Sequence, residues 1–590
     1  MPSCTRWAGG SADVSVVATA GHVDHGKSTL VRALTGQEPD RLEEEHRRGL
    51  SIELGYCWTS IGNVGDVAFV DVPGHERFLS TMLSGIGPVP AAMLVVAADD
   101  AWMPQAAEHL TALDAFDVRH GVLVVTRCDL ADPGPALARA RAEVDRTSLA
   151  GSPAVVVSGR TGEGLDDLRR ALADVLADVR ADPSADVRLW VDRVFTVAGA
   201  GTVVTGTLPA GTVRRGDDLA HGHDLVRVRG VESLDRSQEA VSGPARVALR
   251  LGGRAPSGLR RGSMLVAPQA YADVVELDVR LHGHGHLPER PLLHVGTARV
   301  AVRARPIGEH HARLRLDVPL PVRHGERVVL RDPGSRALWG ADVLDADPPS
   351  LSRRGAARAR AAVLEDLRSD VAGELARRGA VRRSHLRRLG VTGPEPADAT
   401  VVGDWLVSAD QAATWRESLV AAVAEEPRGI TPAAAARVVG LPDPGLVAAL
   451  VVAPVRLVAG RLVTESVLPE DLRVALESVR ARLTDVPFAA PDVEDLAAAG
   501  LDRRALARLG REGHLLVLAE GVALLPGADL AAYDVLSALP QPFTTSQARQ
   551  ALATTRRVVL PLLARLDHDG RTVRLPDDTR RVIARPAGPT

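Results

Sequence analysis

The 590-residue chain is 45% hydrophobic and 25% charged with a formal net charge of −3, which excludes a disordered or low-complexity polymer and gives no chain-wide preference for an acidic or basic partner. Its length exceeds what one hydrophobic core usually supports, so several domains are expected. Cys4, Cys57 and Cys128 are too far apart to suggest a disulfide framework or a paired metal site, and the apolar run 448–453 ends at Pro454 and Arg456, so a reducing, cytoplasmic setting with no membrane span is expected.

The first predicted element is a strand at 14–18, a β-branched apolar run. Gly21-His22-Val23-Asp24-His25-Gly26-Lys27-Ser28 follows, and then a helix over 29–34. Strand, loop and helix in this order form a phosphate cradle, in which backbone N–H groups point at the ligand from the positive end of a helix. Gly21, His22, Val23, Asp24, His25, Gly26, Lys27, Ser28 and Thr29 are the expected phosphate contacts, with the Ser28 hydroxyl on Mg²⁺. Lys27 is the sole lysine of a chain that otherwise uses arginine. A compact ammonium on the terminal phosphates is the role a planar guanidinium fills badly, so the exception reads as chemistry.

A strand at 67–70 delivers Asp71-Val72-Pro73-Gly74-His75-Glu76, with Asp71 expected on the metal's water shell and the Gly74 N–H at the γ-phosphate. A strand at 121–125 leads into Thr126-Arg127-Cys128-Asp129, whose carboxylate can accept two hydrogen bonds from guanine. The last strand, 154–157, ends in Ser158-Gly159-Arg160-Thr161-Gly162, a loop suited to the guanine carbonyl. Leu165, Leu168, Leu172, Val175, Leu176 and Val179 then form one helical stripe that covers the sheet. Together these motifs predict an α/β P-loop GTPase domain over 12–182 with GTP or GDP and Mg²⁺ as ligands.

The Asp-x-Pro-Gly-His form resembles the translational GTPases, and this resemblance implies that His75 orients the attacking water when the ribosome engages. Arg47-Arg48-Gly49-Leu50-Ser51-Ile52 resembles the switch I segment of that family. Ser51 stands where threonine is usual and keeps the metal-binding hydroxyl, whereas Arg127 and Gly159 replace a usual lysine and alanine in the guanine motifs.

From 187 to about 346 the pattern changes to short strands separated by Gly, Pro and Asp, which predicts two β-barrels, at 186–271 and 273–347. The stretch 192–206 resembles the second domain of the elongation factor Tu group, and Gly325-Glu326-Arg327-Val328-Val329-Leu330-Arg331-Asp332 is typical of its third. His282, His284, His286 and His294 tempt one toward a metal site, since alternate strand residues share a face. No acidic or cysteine ligand joins them, and surface histidines near RNA are expected instead.

The remaining residues read as an all-α, winged-helix array, opening with a long helical pattern over 356–378 and repeating a unit of about sixty residues. The units are expected at 352–415, 416–467, 468–528 and 529–590. In the last, Thr544-Thr545-Ser546 caps one helix, Thr555 starts the recognition helix, and a hairpin turns across Pro576-Asp577-Asp578-Thr579. Residues 541–590 hold nine arginines against four aspartates. Arg556 and Arg557 at the helix start and Arg571, Arg574, Arg580 and Arg581 on the wing are therefore the expected RNA contacts, with the earlier units as spacers.

A Tu-like body followed by winged helices resembles the selenocysteine-specific elongation factors over essentially the whole chain, as do Arg48-Gly49-Leu50-Ser51-Ile52-Glu53-Leu54-Gly55-Tyr56 and Ala97-Ala98-Asp99-Asp100-Ala101-Trp102-Met103-Pro104-Gln105. The resemblance implies a cytoplasmic, monomeric carrier that delivers selenocysteinyl-tRNA to the ribosome at UGA codons marked by an mRNA hairpin (SECIS), hydrolysing GTP to GDP. It also implies a selenocysteine pocket of Asp192, Arg193 and Arg246, with Asp192 orienting an arginine. A general aminoacyl-tRNA carrier and a nucleotide-switched winged-helix regulator are the alternatives.

Overall fold

The computed structural model describes residues 14–583 apart from 40–50, 63, 198–200, 255, 284, 427–428, 465–467 and 520. Cys4, the switch I residues Arg47 to Leu50, part of the stretch 192–206, His284 and Arg585 lie outside the described residues. The chain divides into two compact units, Met1–Ala412 and Ala413–Thr590.

The first unit begins with a six-stranded sheet in the order β2-β3-β1-β4-β5-β6. Its strands are β1 (Val14–Ala20), β2 (Gly55–Ile61), β3 (Gly65–Asp71), β4 (Ala91–Ala97), β5 (His120–Thr126) and β6 (Ala154–Val156). Only β2 runs antiparallel to its neighbour, β3; β1, β3, β4, β5 and β6 pair in parallel. Parallel strands buried on both faces need continuous apolar runs, and β4, Ala-Ala-Met-Leu-Val-Val-Ala, is buried throughout. Helix α1 (Lys27–Thr35) buries Leu30, Val31 and Leu34 on one stripe and stops at Gly36, which takes φ 72°. The helix Leu165–Ala177 buries Leu165, Leu168, Leu172 and Leu176, the stripe its spacing predicts. The site follows from this layout: the loops after β1, β3, β5 and β6 leave the same end of the sheet.

Two barrels come next. Seven strands from Arg188–Val197 to Met264–Val266 form a sheet closed by pairing of Asp218–His221 with Asp224–Ser233. Six strands from Val274–His282 to Leu338–Asp345 form a second closed barrel.

The helical pattern over 356–378 folds as two helices, Ala356–Glu365 and Val371–Arg378, where the sequence predicts one. Asp370 breaks it, because its carboxylate caps the second helix by accepting from the Gly373 N–H. The apolar side chains of this first winged helix, Val371, Leu375, Val381, Leu386 and Leu406, share one core with the second barrel.

The second unit contains hairpins at Val455–Val458/Arg461–Thr464, Leu516–Ala519/Val522–Leu524 and Thr572–Arg574/Arg580–Val582, each preceded by short helices. The last two winged helices share one core, in which Phe488, Leu509, Phe543 and Leu562 are all buried. The final one has a capping box, with Thr544 accepting from the Gln547 N–H while the Gln547 side chain reaches back. Among the described residues no single helix is long and apolar enough to cross a membrane.

Candidate nucleotide, aminoacyl and RNA sites

The P-loop, Ser51, Gly74 and the loops carrying Asp129 and Gly159 line a cleft of about 500 Å³. Backbone geometry dictates two of its glycines. Gly21 sits at φ +130°, and a Cβ there would lie 2.1 Å from the Val95 carbonyl oxygen. At Gly74 a Cβ would lie 2.5 Å from Lys27 Nζ, so the chain carrying His75 can approach the loop only without a side chain.

The Lys27 ammonium donates to the Gly21 and His22 carbonyls at 3.1 and 2.7 Å, which points its charge across the cradle. Ser28 Oγ donates to Asp71 Oδ2 at 2.6 Å and lies 3.3 Å from Ser51 Oγ. Thr19 Oγ1 steadies the other Asp71 oxygen at 2.6 Å. Two hydroxyls and a carboxylate linked through Ser28 are a hard-oxygen set that fits Mg²⁺, directly or through its water shell. Ser28, Ser51 and Asp71 are thus brought together as the sequence predicts.

His25 and His109 back the loop as neutral imidazoles. Burial, reinforced by His22, lowers His25 to about 4, and burial with repulsion from Lys27 lowers His109 to about 3. His109 accepts from the Gly21 N–H at 3.0 Å. Sequence reasoning missed it, since a lone helical histidine 88 residues away carries no local signal.

At the other end of the cleft, Asp129 accepts from Ser158 Oγ at 2.7 Å and pairs with Arg160 at 2.9 Å. These partners, Ser158 foremost, hold its carboxyl below the usual range. Thr126 faces inward, its hydroxyl donating to the His25 carbonyl at 2.7 Å, so it braces the P-loop. Arg127, at φ 59°, pairs with Asp99 at 3.1 Å and donates to the Asp24 carbonyl. Its guanidinium therefore ties the loop after β5 to the loop after β1. A Cβ on Gly159 would lie 3.3 Å from Thr29 Cγ2, a close fit against α1. His75 caps the short turn Glu76–Phe78 by accepting from the Arg77 N–H, and its ring is not part of the cleft wall.

The predicted pocket residues meet where β2 faces the first barrel. Asp192 is 5% exposed and accepts from both terminal guanidinium nitrogens of Arg246, one at 2.9 Å, together with Thr205 Oγ1 at 2.8 Å and Tyr56 OH at 3.2 Å. The Arg246 guanidinium stacks 3.6 Å from the Tyr56 ring centroid. Arg193 donates to the Leu54 carbonyl at 2.9 Å and to Glu53 at 3.3 Å. A cavity of about 570 Å³ opens here, lined by Tyr56, Asp192, Arg193 and Phe195 with Arg260 and Arg261. Arg246 lies behind Tyr56 and is not on the cavity wall, whereas Arg260 and Arg261, which the sequence reading did not single out, are on it.

On the last winged helix the six predicted arginines separate. Arg580 is buried, donating to Asp567 at 2.9 Å and to Thr545, and so holds the wing to the helices. Arg557 donates to the carbonyls of Gly521, Ala490 and Pro491 at 2.7–2.8 Å and fastens the preceding winged helix. Arg574 pairs with Asp578, and Arg571 lies over the Tyr533 ring. Arg556 and Arg581 are exposed, with no acid at ion-pair distance among the described residues. The histidine set also divides: His282 bonds Asp342 at 2.6 Å and His286 is exposed, but His294 is buried in the second barrel. Alternation fails because the strand ends at His282, and His294 belongs to the next one.

Residues 12–178 match the family model of the elongation factor Tu GTP binding domain, and residues 534–581 match that of the elongation factor SelB winged helix. The selenocysteine-specific elongation factor of Escherichia coli (strain K12) is 37% identical over 351 residues, covering 58% of this chain and 56% of that protein. That of Desulfomicrobium baculatum is 33% identical over 407 residues, 63% of each. The chain thus aligns with less than two thirds of the length of these curated relatives. A crystal structure of bacterial selenocysteine-specific elongation factor EF-Sec shares the fold at TM-score 0.73 and 24% identity, covering 97% of this chain and 100% of that one. Translation elongation factor SelB from Methanococcus maripaludis with the GTP analogue GppNHp matches at TM-score 0.50 and 22% identity, over 57% of this chain and 79% of that one.

Proposed function

For a chain that belongs with the selenocysteine-specific elongation factors, a branch of the translational GTPases, we propose a GTP-dependent carrier of selenocysteinyl-tRNA. In the GTP-bound form it delivers this tRNA to a ribosome reading UGA beside an mRNA hairpin. It works as a cytoplasmic monomer. The observation that carries the reading is that one short segment, 51–56, borders both the nucleotide cleft and an arginine-lined cavity.

Mg²⁺, held by Ser28, Ser51 and Asp71, would supply positive charge to the phosphate oxygens. Lys27 and the backbone N–H groups of the loop bind and orient the phosphates, and the Gly74 N–H faces the terminal one. Asp129, Ser158 and Gly159 receive the base, with Thr126 and Arg127 bracing that wall. His75 orients the attacking water once its loop turns toward the cleft. Hydrolysis of this kind asks the protein for positioning and charge stabilisation and for little covalent work.

Discrimination rests on charge. A selenol is more acidic than a thiol, so selenocysteine is largely anionic at neutral pH, whereas serine is neutral. Arg193, Arg260 and Arg261 offer the cation, while Asp192 and Arg246 fix Tyr56 as the pocket's rear wall. One charge-assisted hydrogen bond contributes roughly 1.5–3 kcal/mol, about ten- to a hundredfold in affinity, so several arginines are needed against abundant competitors. Arg556 and Arg581, with Arg571 and Arg574, form the surface offered to the mRNA hairpin. Arg580 supports it from within, and Arg557 ties it to the preceding winged helix.

The test is ester protection. The GTP-bound protein is expected to slow hydrolysis of selenocysteinyl-tRNA and not that of seryl-tRNA. Equal protection of both would point to a general carrier, and protection of neither to a nucleotide-switched regulator.

A further inference from the structure

Arg160 follows Ser158 and Gly159 in the loop after β6, and its guanidinium lies 2.9 Å from Oδ2 of Asp129. The other carboxylate oxygen already accepts from Ser158 Oγ at 2.7 Å. Both oxygens of the base-reading group are therefore engaged. Guanine presents N1–H and N2–H to such a carboxylate, and a guanidinium likewise presents only donors. Base and arginine compete for one acceptor. The Arg160 side chain is 75% exposed and that of Asp129 12%, so the arginine can leave into water while the acid stays fixed. Arg127, the other cation at this end, is held by Asp99 and the Asp24 carbonyl and has no such freedom.

We infer that Arg160 is an internal competitor for Asp129: it neutralises the carboxylate while the guanine seat is empty and is displaced when the base docks, so it sets guanine-nucleotide affinity. The inference rests on the guanine reading of the cleft. Gly159 packs the loop against α1 with no side chain of its own, which leaves Arg160 projecting outward with Asp129 as its one ion partner among the described residues. An exposed ion pair of this kind is weak, so its removal should favour the base by a small, measurable factor.

The experiment is a double-mutant cycle read by GDP and xanthosine diphosphate (XDP) affinity on the full chain. Asp129→Asn replaces one acceptor with a donor, which suits the C2 carbonyl of xanthine and should reverse the preference from GDP to XDP. Arg160→Ala is expected to tighten GDP binding about one-and-a-half- to fivefold. In the Asp129→Asn background, where no carboxylate is contested, it should leave XDP affinity unchanged or slightly weaker through the lost positive charge. Arg160→Lys should stay close to wild type. Weaker or unchanged GDP binding in Arg160→Ala, or the same tightening in both backgrounds, overturns the inference alone. Failure of Asp129→Asn to favour XDP overturns the guanine reading and the inference with it.

Discussion

His75 accepts a backbone hydrogen bond on Nδ1, so its ring proton sits on Nε2. A ring in that state can hold a water or a phosphate oxygen by donation and has no bare nitrogen left to abstract a proton, which favours positioning over general-base action. His75→Ala is accordingly expected to keep GTP affinity within about twofold and to lose ribosome-stimulated hydrolysis by two or more orders of magnitude, the scale of a lost positioning or transition-state contact. Equilibrium binding and single-turnover hydrolysis with ribosomes would separate the two effects. Stimulated turnover at the wild-type rate would remove His75 from the mechanism. Lys27, Ser28 and Asp71 were legible because their chemistry is written in contiguous motifs. His109 and Tyr56 were not, because each earns its role from a partner many residues away.

The barrel element holding His294 carries a pH-dependent cost. This side chain is 1% exposed, neither ring nitrogen has a hydrogen-bond partner among the described residues, and burial with repulsion from Arg331 and Arg299 lowers it to about 3 from an ordinary 6.5. Above pH 6.5 the imidazole is neutral whether the barrel is folded or not, and it makes no pH-dependent difference. As pH falls from 6.5 toward 3, the unfolded chain takes up a proton that the folded barrel refuses, so stability is lost, by at most about 1.4 kcal/mol per pH unit for one group. His294→Leu, close in volume and apolar, should remove this contribution. Urea unfolding at pH 5 and pH 8 should give a larger gain for the variant at pH 5, and an equal gain at both would contradict the assignment. The period-two pattern that placed four histidines on one face is sound within a strand. It fails here because the chain turns between His282 and His294.

Across the first unit, an ionic network joins the second barrel to the first winged helix. Asp278, Asp345 and Glu374 are fully buried, and Arg313, Arg360, Arg377 and Arg378 surround them at 2.5–3.1 Å in their closest pairings. His324, Asp345 and Glu374 approach one another closely enough to hold a metal, but these arginines already supply the compensating charge. Removing one side of a buried pair costs roughly 3–5 kcal/mol, well beyond the value of the pair as a stabiliser. A chain ended after residue 350 loses Arg360, Arg377 and Arg378 and uncovers the shared apolar core. It should melt at least several degrees below a chain ended after Ala412, or aggregate on expression. Calorimetry of the two truncations checks this, and equal melting temperatures would show that the winged helix is an independent module.

The nucleotide cleft, the order of the domains and the final winged helix were determined by the sequence alone, because each is encoded in short-range patterns: glycines a backbone must have, an apolar period, a cap before a helix. Tertiary structure decided which of several equivalent arginines are committed to partners within the fold. Arg556 and Arg581 have no acid at ion-pair distance among the described residues, while Arg557 and Arg580 are held by carbonyls and a carboxylate, a distinction composition cannot carry because all four have the same charge and propensity. It also decided that the first winged helix is continuous with the barrel, since burial of a charge depends on partners that only folding brings together.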